Sequence, residues 1–556
     1  MPGPLDPVLR YHQLSKHSFQ RYAPGPGGLD WATQPDPFRR YGGAPLVPLI
    51  LTPASEGEPG FDQALGLPGL APLPVHAATA SRLLQDSVGL SAWKGAQGAS
   101  WALRMNPSSG NLHPTETYLV GGPVPGLLDR PVVAHYAPRE HGLEVRASIL
   151  PLEWEGGPGT ASPDLVVGLS SLHWREAWKY GERAFRYCQL DVGHALASLA
   201  VAAAGLGWRA RLLDGPTSTW LEQLLGLAGQ RQRPDAETAE CLVAVWARPQ
   251  AGDAPVALRP GDMAAVEWCG EPSAASPEYV RWEWVERMAA STRKEVEGAA
   301  HQDRLGGARL QAGGPALPPR PVDPPLRRIV HQRRSAVEMD PRGRLDADAF
   351  YRILAHTLPE SGRVPLGVLG WAPLVHLLLF VHRVDDVAPG LYLLLRNPGD
   401  EGALREGALS SGSWEAAPGC PAGLPLRLLR GGDVRRAAAA LSCQQAIAAD
   451  GCFSLGMIAR FREPLEKRGP WMYSRLYWEC GLLGQVLYLE AEAAGLRGTG
   501  IGCFFDDPVH EILGLADDAF QSLYHFTVGR ALEDGRLTTL PAYPPGRPDQ
   551  GPRGPG

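Results

Sequence analysis

Apolar positions recur at helical spacing in two long stretches of this chain, from about Ala184 to Ala204 and from about Ser474 to Ala494. Both are rich in alanine, and both stop at Gly-Leu, a helix stop signal. An offset of 290 sets Tyr187 on Tyr477, Leu199 on Leu489 and Ala203-Ala204-Gly205-Leu206 on Ala493-Ala494-Gly495-Leu496. A basic-polar triplet opens each half: Lys16-His17-Ser18 in the first, Arg333-Arg334-Ser335 in the second. The pattern predicts an internal duplication. Ser18 to Gly205 spans 187 positions and Ser335 to Gly495 spans 160, so the second copy is 27 shorter. Shorter apolar runs predict strands at Tyr118-Leu119-Val120, Leu374 to Phe380 and Phe526-Thr527-Val528-Gly529. A short helix is predicted over Val280 to Ala290.

Composition adds the domain plan. At 556 residues the chain is too long for one ordinary core. Hydrophobic residues make up 44% and charged residues 20%, a globular balance. Gly306 to Pro325 is rich in Gly and Pro and predicts a linker. The expected division is a first domain over 1–255, a helical and Gly/Pro-rich connector over 256–325, a second, degenerate domain over 326–540, and a disordered tail over 541–556. The net charge of −6 is scattered, which argues against a nucleic-acid or membrane-surface partner. Eight cysteines stand singly, with neither CxxC pairs nor Cys/His zinc spacing, so no metal site is expected. Free thiols point to a reducing cytoplasm. Met1-Pro2-Gly3-Pro4-Leu5-Asp6 lacks a basic segment followed by an apolar one, so no secretion signal is expected, and the apolar runs are too short or too Gly-broken to span a bilayer.

The candidate chemistry starts at Arg104-Met105-Asn106-Pro107-Ser108-Ser109-Gly110-Asn111-Leu112-His113-Pro114-Thr115-Glu116. Pro and Gly shape the backbone, while Ser and Asn both donate and accept hydrogen bonds. Such a loop suits a flat ligand with many acceptors. The second half lacks it, and carries Leu366-Gly367-Val368-Leu369-Gly370-Trp371-Ala372-Pro373 in its place.

The segment resembles the proline-serine-serine loop of the FMN-dependent nitroreductase superfamily, and its Gly-Asn-Leu-His-Pro-Thr-Glu continuation is similar to the SagB-type (ThcOx-like) azoline dehydrogenases. The resemblance implies an α+β fold, with an antiparallel-rich sheet flanked by helices. Members pair as intertwined dimers that share FMN between subunits. Here it implies two fused domains forming an intramolecular pseudo-dimer. By the resemblance, Arg333, Arg334 and Ser335 would grip the phosphate and the flavin's pyrimidine edge, Arg being suited to phosphate by its planar fork. Gly500, Ile501 and Gly502 would let the backbone approach the cofactor, and Arg530 would be a second phosphate ligand. Arg104, Pro107, Ser108, Ser109, Asn111 and His113 would arrive from the first half. Lys16-His17-Ser18 could hold a phosphate in the mirror site, but no second loop completes it. The expectation is one FMN per chain.

Lys179-Tyr180 matches the Lys-Tyr pair with which SagB-type and McbC-type dehydrogenases take protons from an azoline ring. A buried Lys, or a Tyr helped by it, can accept such a proton. Asp191 and His194, three apart on one helix face, read as buried polar residues. The expected function is an FMN-dependent azoline dehydrogenase acting on a small-molecule or azoline-peptide substrate, with a cyclodehydratase as possible partner. Two alternatives stay open: a reductase of nitro groups, quinones or enones using NAD(P)H, and a flavin-free scaffold or peptide-binding partner.

Overall fold

The computed structural model describes residues 3–543 apart from 55–57, 67–68, 157–160, 249–255, 260–262, 264, 297–314, 316–318, 360–363, 408–411 and 516. Most of the expected 306–325 linker and nearly all of the expected tail lie outside the described residues.

The two long helices form as the periodicity predicts, over Ala184–Ala204 and Met472–Ala493. Nearly every side chain on them is buried, which fits sequences apolar all round. They pack on each other at glycines. A Cβ at Gly193 would overlap the backbone of Trp478, and one at Gly481 the carbonyl of Leu190. Their ends differ: Gly495 takes the left-handed φ of +72°, whereas Gly205 stays right-handed and Gly207 turns the chain at +70°.

Each helix backs a seven-stranded antiparallel sheet. In spatial order the first holds Arg209–Leu213, Thr238–Trp246, Leu165–Ser171, Thr115–Gly121, Val132–Ala137, Gly142–Ser148 and Leu46–Pro48. The second holds Glu415–Ala416, Leu426–Gly431, Gly390–Leu394, Val375–Val381, Phe453–Arg460, Phe520–Gly529 and Arg497–Ile501. The predicted strands all fall inside these. The fold is therefore two α+β halves in one chain, joined across the helix pair.

The halves exchange arms. The N-terminal helix Asp6–Leu14 places Val8 and Tyr11 in the core of the second half, where Tyr11 meets Tyr473 edge-on at 6.1 Å. In return, Thr538–Leu540 pairs with Leu90–Ala96 of the first-half hairpin Leu90–Ala96/Ala99–Arg104. The predicted connector helix forms over Glu283–Ser291 and buries Val285 and Met288. This interleaving carries both halves' residues to one loop.

Candidate functional site

The polar loop leaves the strand Ala99–Arg104 and is held on the first long helix. The Ser109 N–H and hydroxyl both donate to Asp191 at 3.1 Å, Ser108 Oγ accepts from the His113 N–H at 2.8 Å, and Asn111 Nδ2 donates to the Ala102 carbonyl at 2.8 Å. Gly110, Asn111 and His113 have φ of +59°, +61° and +53°. Asn and His in that region cost free energy, and such strain concentrates where a loop must present its groups in one arrangement.

The second half brings its triplet to the same place. The helix Leu326–Gln332 ends at Arg333, and Ser335 bridges to Gly498 beside the strand Arg497–Ile501. Arg333 is 4% exposed and donates to the carbonyls of Met105 and Arg104 at 3.3 and 3.2 Å, with its guanidinium 5.0 Å from the Tyr488 ring centre. Arg334 donates to the carbonyls of His331, Arg333 and Ser91. Arg104 donates to those of Thr115 and Pro37, while its buried Nε has no partner. Among the described residues none of the three has a carboxylate partner. Burial holds Arg104 and Arg334 down to about 10, neighbouring cations adding to the effect, and pulls Arg333 down as well. Uncompensated buried cations are costly, so this end of the site is matched to an anion.

Between these segments lies a cavity of about 690 Å³, in the size range of cofactor sites. Arg104, Pro107, Ser108, Ser109, Asn111, His113, Tyr180, Arg333, Arg334, Ser335, Gly500, Ile501 and Gly502 all line it. Buried side-chain atoms there without partners include Asn106 Oδ1, His113 Nδ1 and His194 Nδ1, so the wall offers both donors and acceptors to a ligand. Thirteen expected residues from both halves thus converge. Two stand apart. Arg530 pairs with Asp340 and is half exposed. Lys179 is not in the wall, but its Nζ lies 3.1 Å from where a Cβ at Gly110 would sit, behind Tyr180. The glycine strand also differs from expectation. A Cβ at Gly500 would overlap the Tyr524 hydroxyl and one at Gly502 the Tyr187 ring, so these glycines make room for aromatic walls.

Sequence reasoning missed several groups. Glu176 sits one turn before Lys179 on the helix His173–Tyr180, fully buried, with both carboxyl oxygens unpartnered. Burial drives its carboxyl well above the usual range, with Asp191 reinforcing and Lys179 opposing. Burial also raises Asp191 to about 7 against the hydrogen bonds from Ser108 and Ser109, and lowers His194 to about 3. The spacing of Glu176 to Lys179 could have flagged the first. The walls Tyr187, Tyr488 and Tyr524 had no local signal.

The mirror position is filled. Lys16 pairs with Asp507 at 2.6 Å, and the His17 N–H donates to Asp506. Asp506 also binds Arg183 and Arg186. Lys16 and the His17 N–H thus already have carboxylate partners, which a phosphate would have to displace. The loop replacing the polar one buries Val368, and the backbone N–H groups of Leu374 and Val375 donate to Glu479. Against the strand Arg209–Leu213 the remaining cavity is about 30 Å³, room for about one water. Elsewhere Asp62, His356 and Glu490 converge, but Arg320 donates to both carboxylates. No helix among the described residues is long and apolar enough to cross a membrane.

Comparison with known proteins follows this geometry. Residues 413–530 match the model of the Nitroreductase family. No curated protein matches the sequence. The fold is similar to the crystal structure of a protein assigned as a nitroreductase from Anabaena variabilis ATCC 29413, at 23% identity and a TM-score of 0.66, covering 95% of this chain and 99% of that one. Smaller likenesses are to a protein assigned as a nitroreductase from Ralstonia eutropha JMP134 (16% identity, TM-score 0.27, 41% of this chain and 97% of that one) and to a chain of the E. coli microcin synthetase McbBCD complex with truncated pro-MccB17 bound (16%, TM-score 0.26, 36% and 73%). Residues 413–530 thus resemble the Nitroreductase family, and the chain shares the fold of the Anabaena variabilis structure over 95% of its length.

Proposed function

We propose that the chain is an oxidoreductase that holds one FMN in the 690 Å³ cavity and dehydrogenates azoline rings, on a small molecule or a peptide. The observation that carries this is the set of guanidiniums, buried Arg104 and Arg333 with half-buried Arg334, gathered from two halves and, among the described residues, without an ion-pair partner. In this reading Arg333 and Arg334 take the phosphate, and Ser108, Ser109, Asn111 and Ser335 offer amide and hydroxyl groups to the ring system. FMN, when bound, supplies the two-electron acceptor. The domain limits are proposed at 1–255, 256–325, 326–540 and 541–556, with a cyclodehydratase as partner and the cytoplasm as location.

Converting an azoline to an azole removes two hydrogens, one with an electron pair and one as a proton. Tyr180, in the wall, is the group we assign to receive that proton, with Lys179 beside its ring at 5.4 Å. Glu176, kept neutral by burial, and Asp191, titrating about 7, give the proton a route into the helix pair. Lys179→Ala and Tyr180→Phe are expected to keep FMN and lose roughly 100- to 10,000-fold in turnover of azoline peptides with oxygen as acceptor. If both stay yellow and oxidise the azoline at the wild-type rate, the pair is structural. Activity of the wild type only with reduced nicotinamide and a quinone would replace this reading with the reductase one.

A further inference from the structure

Cys503 lines the cavity, directly after Gly502. It is not alone. Its thiol is in hydrogen-bonding contact with Cys443 and with the His17 ring. His17 Nδ1 accepts from the Ala23 N–H at 2.8 Å, which leaves the proton on the other ring nitrogen, free to donate to sulfur. Arg183 donates to the Gly502 carbonyl at 3.0 Å and stands 4.9 Å from the Phe504 ring centre, adding a buried cation to the same corner. Cys443 occupies the turn between the helices Arg435–Leu441 and Ile447–Asp450. Cys443 and Gln444 there have consecutive left-handed φ of +53° and +61°, and the Gln445 amide donates to the Cys503 carbonyl at 3.1 Å. Two non-glycine residues in that region are strained. Both cysteines are partly exposed, unlike Cys188, Cys241, Cys452 and Cys480, which are buried.

These features distinguish a reactive thiol from a structural one. The Cys443 thiol, then His17 and Arg183, hold Cys503 well below the usual thiol range, while contact with that sulfur pushes Cys443 up. Of the two sulfurs, that of Cys503 lines the cavity. That is the arrangement of an attacking and a resolving thiol.

We propose that Cys443 and Cys503 are a redox-active pair whose disulfide form takes electrons from the reduced cofactor in the cavity, an electron exit built beside the substrate site. The proposal rests on the FMN reading above. In the step, the Cys443–Cys503 bond breaks, two electrons come from the reduced flavin, and two protons give two thiols. Exchange with a disulfide in solution, through the exposed Cys443 side, restores the bond and reduces that disulfide to two thiols.

Two measurements test it. The FMN-loaded, air-oxidised full chain is titrated anaerobically with dithionite, with the flavin band followed and thiols counted by maleimide mass tagging. The expected uptake is four electrons per chain in the wild type, with two new thiols, and two electrons in Cys443→Ser and Cys503→Ser. Uptake of two electrons by the wild type with an unchanged thiol count would overturn the proposal. Separately, flavin-free chain treated with diamide should yield peptides joined through Cys443 and Cys503, and their absence overturns the pair whatever the cofactor does. A chain that forms the link yet takes up no FMN refutes the cofactor reading, and the electron exchange falls with it.

Discussion

Replacing Arg333 by Met separates a cation held for a ligand from one held for the fold. Arg333 is 4% exposed, yet among the described residues it has no ion-pair partner: it donates to two carbonyls at 3.3 and 3.2 Å and stands over the Tyr488 ring. Losing two such bonds costs about 1 kcal/mol each, and removing an uncompensated buried guanidinium returns a similar amount. The flavin-free variant is therefore expected within about 1 kcal/mol of wild type by urea denaturation. Arg327→Met is the contrast. That side chain is equally buried but donates to Asp86 at 2.7 and 2.9 Å, and although His331 also meets Asp86 at 2.7 Å, losing this buried bidentate pair is expected to cost about 3 kcal/mol. The ligand tells the opposite story. A charge-assisted bond to phosphate contributes about 1.5–3 kcal/mol, so Arg333→Met should weaken FMN binding roughly 10- to 150-fold in a flavin fluorescence titration. Arg334 remains beside the site, which favours the lower part of that range. Arg327→Met, where it folds, should bind FMN as wild type does. Unchanged FMN affinity in Arg333→Met, or a stability loss as large as that of Arg327→Met, would refute the reasoning.

Further outcomes follow from the same geometry. Equilibrium dialysis should find one FMN per chain, because Lys16 is already paired with Asp507 and the His17 N–H with Asp506; two tightly bound flavins would show that the mirror site works. Gly110→Ala should keep FMN but lose turnover, since a Cβ at φ +59° costs about 1–2 kcal/mol and would overlap the Tyr180 hydroxyl; turnover equal to wild type would remove Tyr180 from the reaction. Asp191 binds its proton more tightly folded, at about 7, than unfolded, at 3.8. Its contribution is therefore fully present below about pH 4 and is lost as pH rises through about 7, a change on the order of 4 kcal/mol. Asp191→Asn, whose amide oxygen still accepts from Ser109, should gain on wild type between about pH 4 and pH 8 in urea denaturation; a difference independent of pH would refute this.

Local chemistry made much of the molecule legible in the sequence. The two long helices follow from a period carried by neighbouring residues, and they form at Ala184–Ala204 and Met472–Ala493. The polar loop follows from Pro, Ser, Gly and Asn at successive positions, since turn chemistry is also local. The expectation of a duplication, and of a single complete set of site residues, came from matching one half against the other. Tertiary structure alone decided what each charged residue meets. Arg333 and Lys16 open equivalent segments, yet topology carries one to bare carbonyls 228 residues away and the other to Asp507. Gly500 and Gly502 were legible as glycines, but the Tyr524 and Tyr187 rings they accommodate arrive from elements distant in sequence. Burial likewise set Asp191 and Glu176 apart from their ordinary chemistry, and the neighbouring Cys443 thiol did so for Cys503. Periodicity and turn signals depend on the nearest few residues, whereas desolvation and pairing depend on which distant segments the interleaved arms bring together.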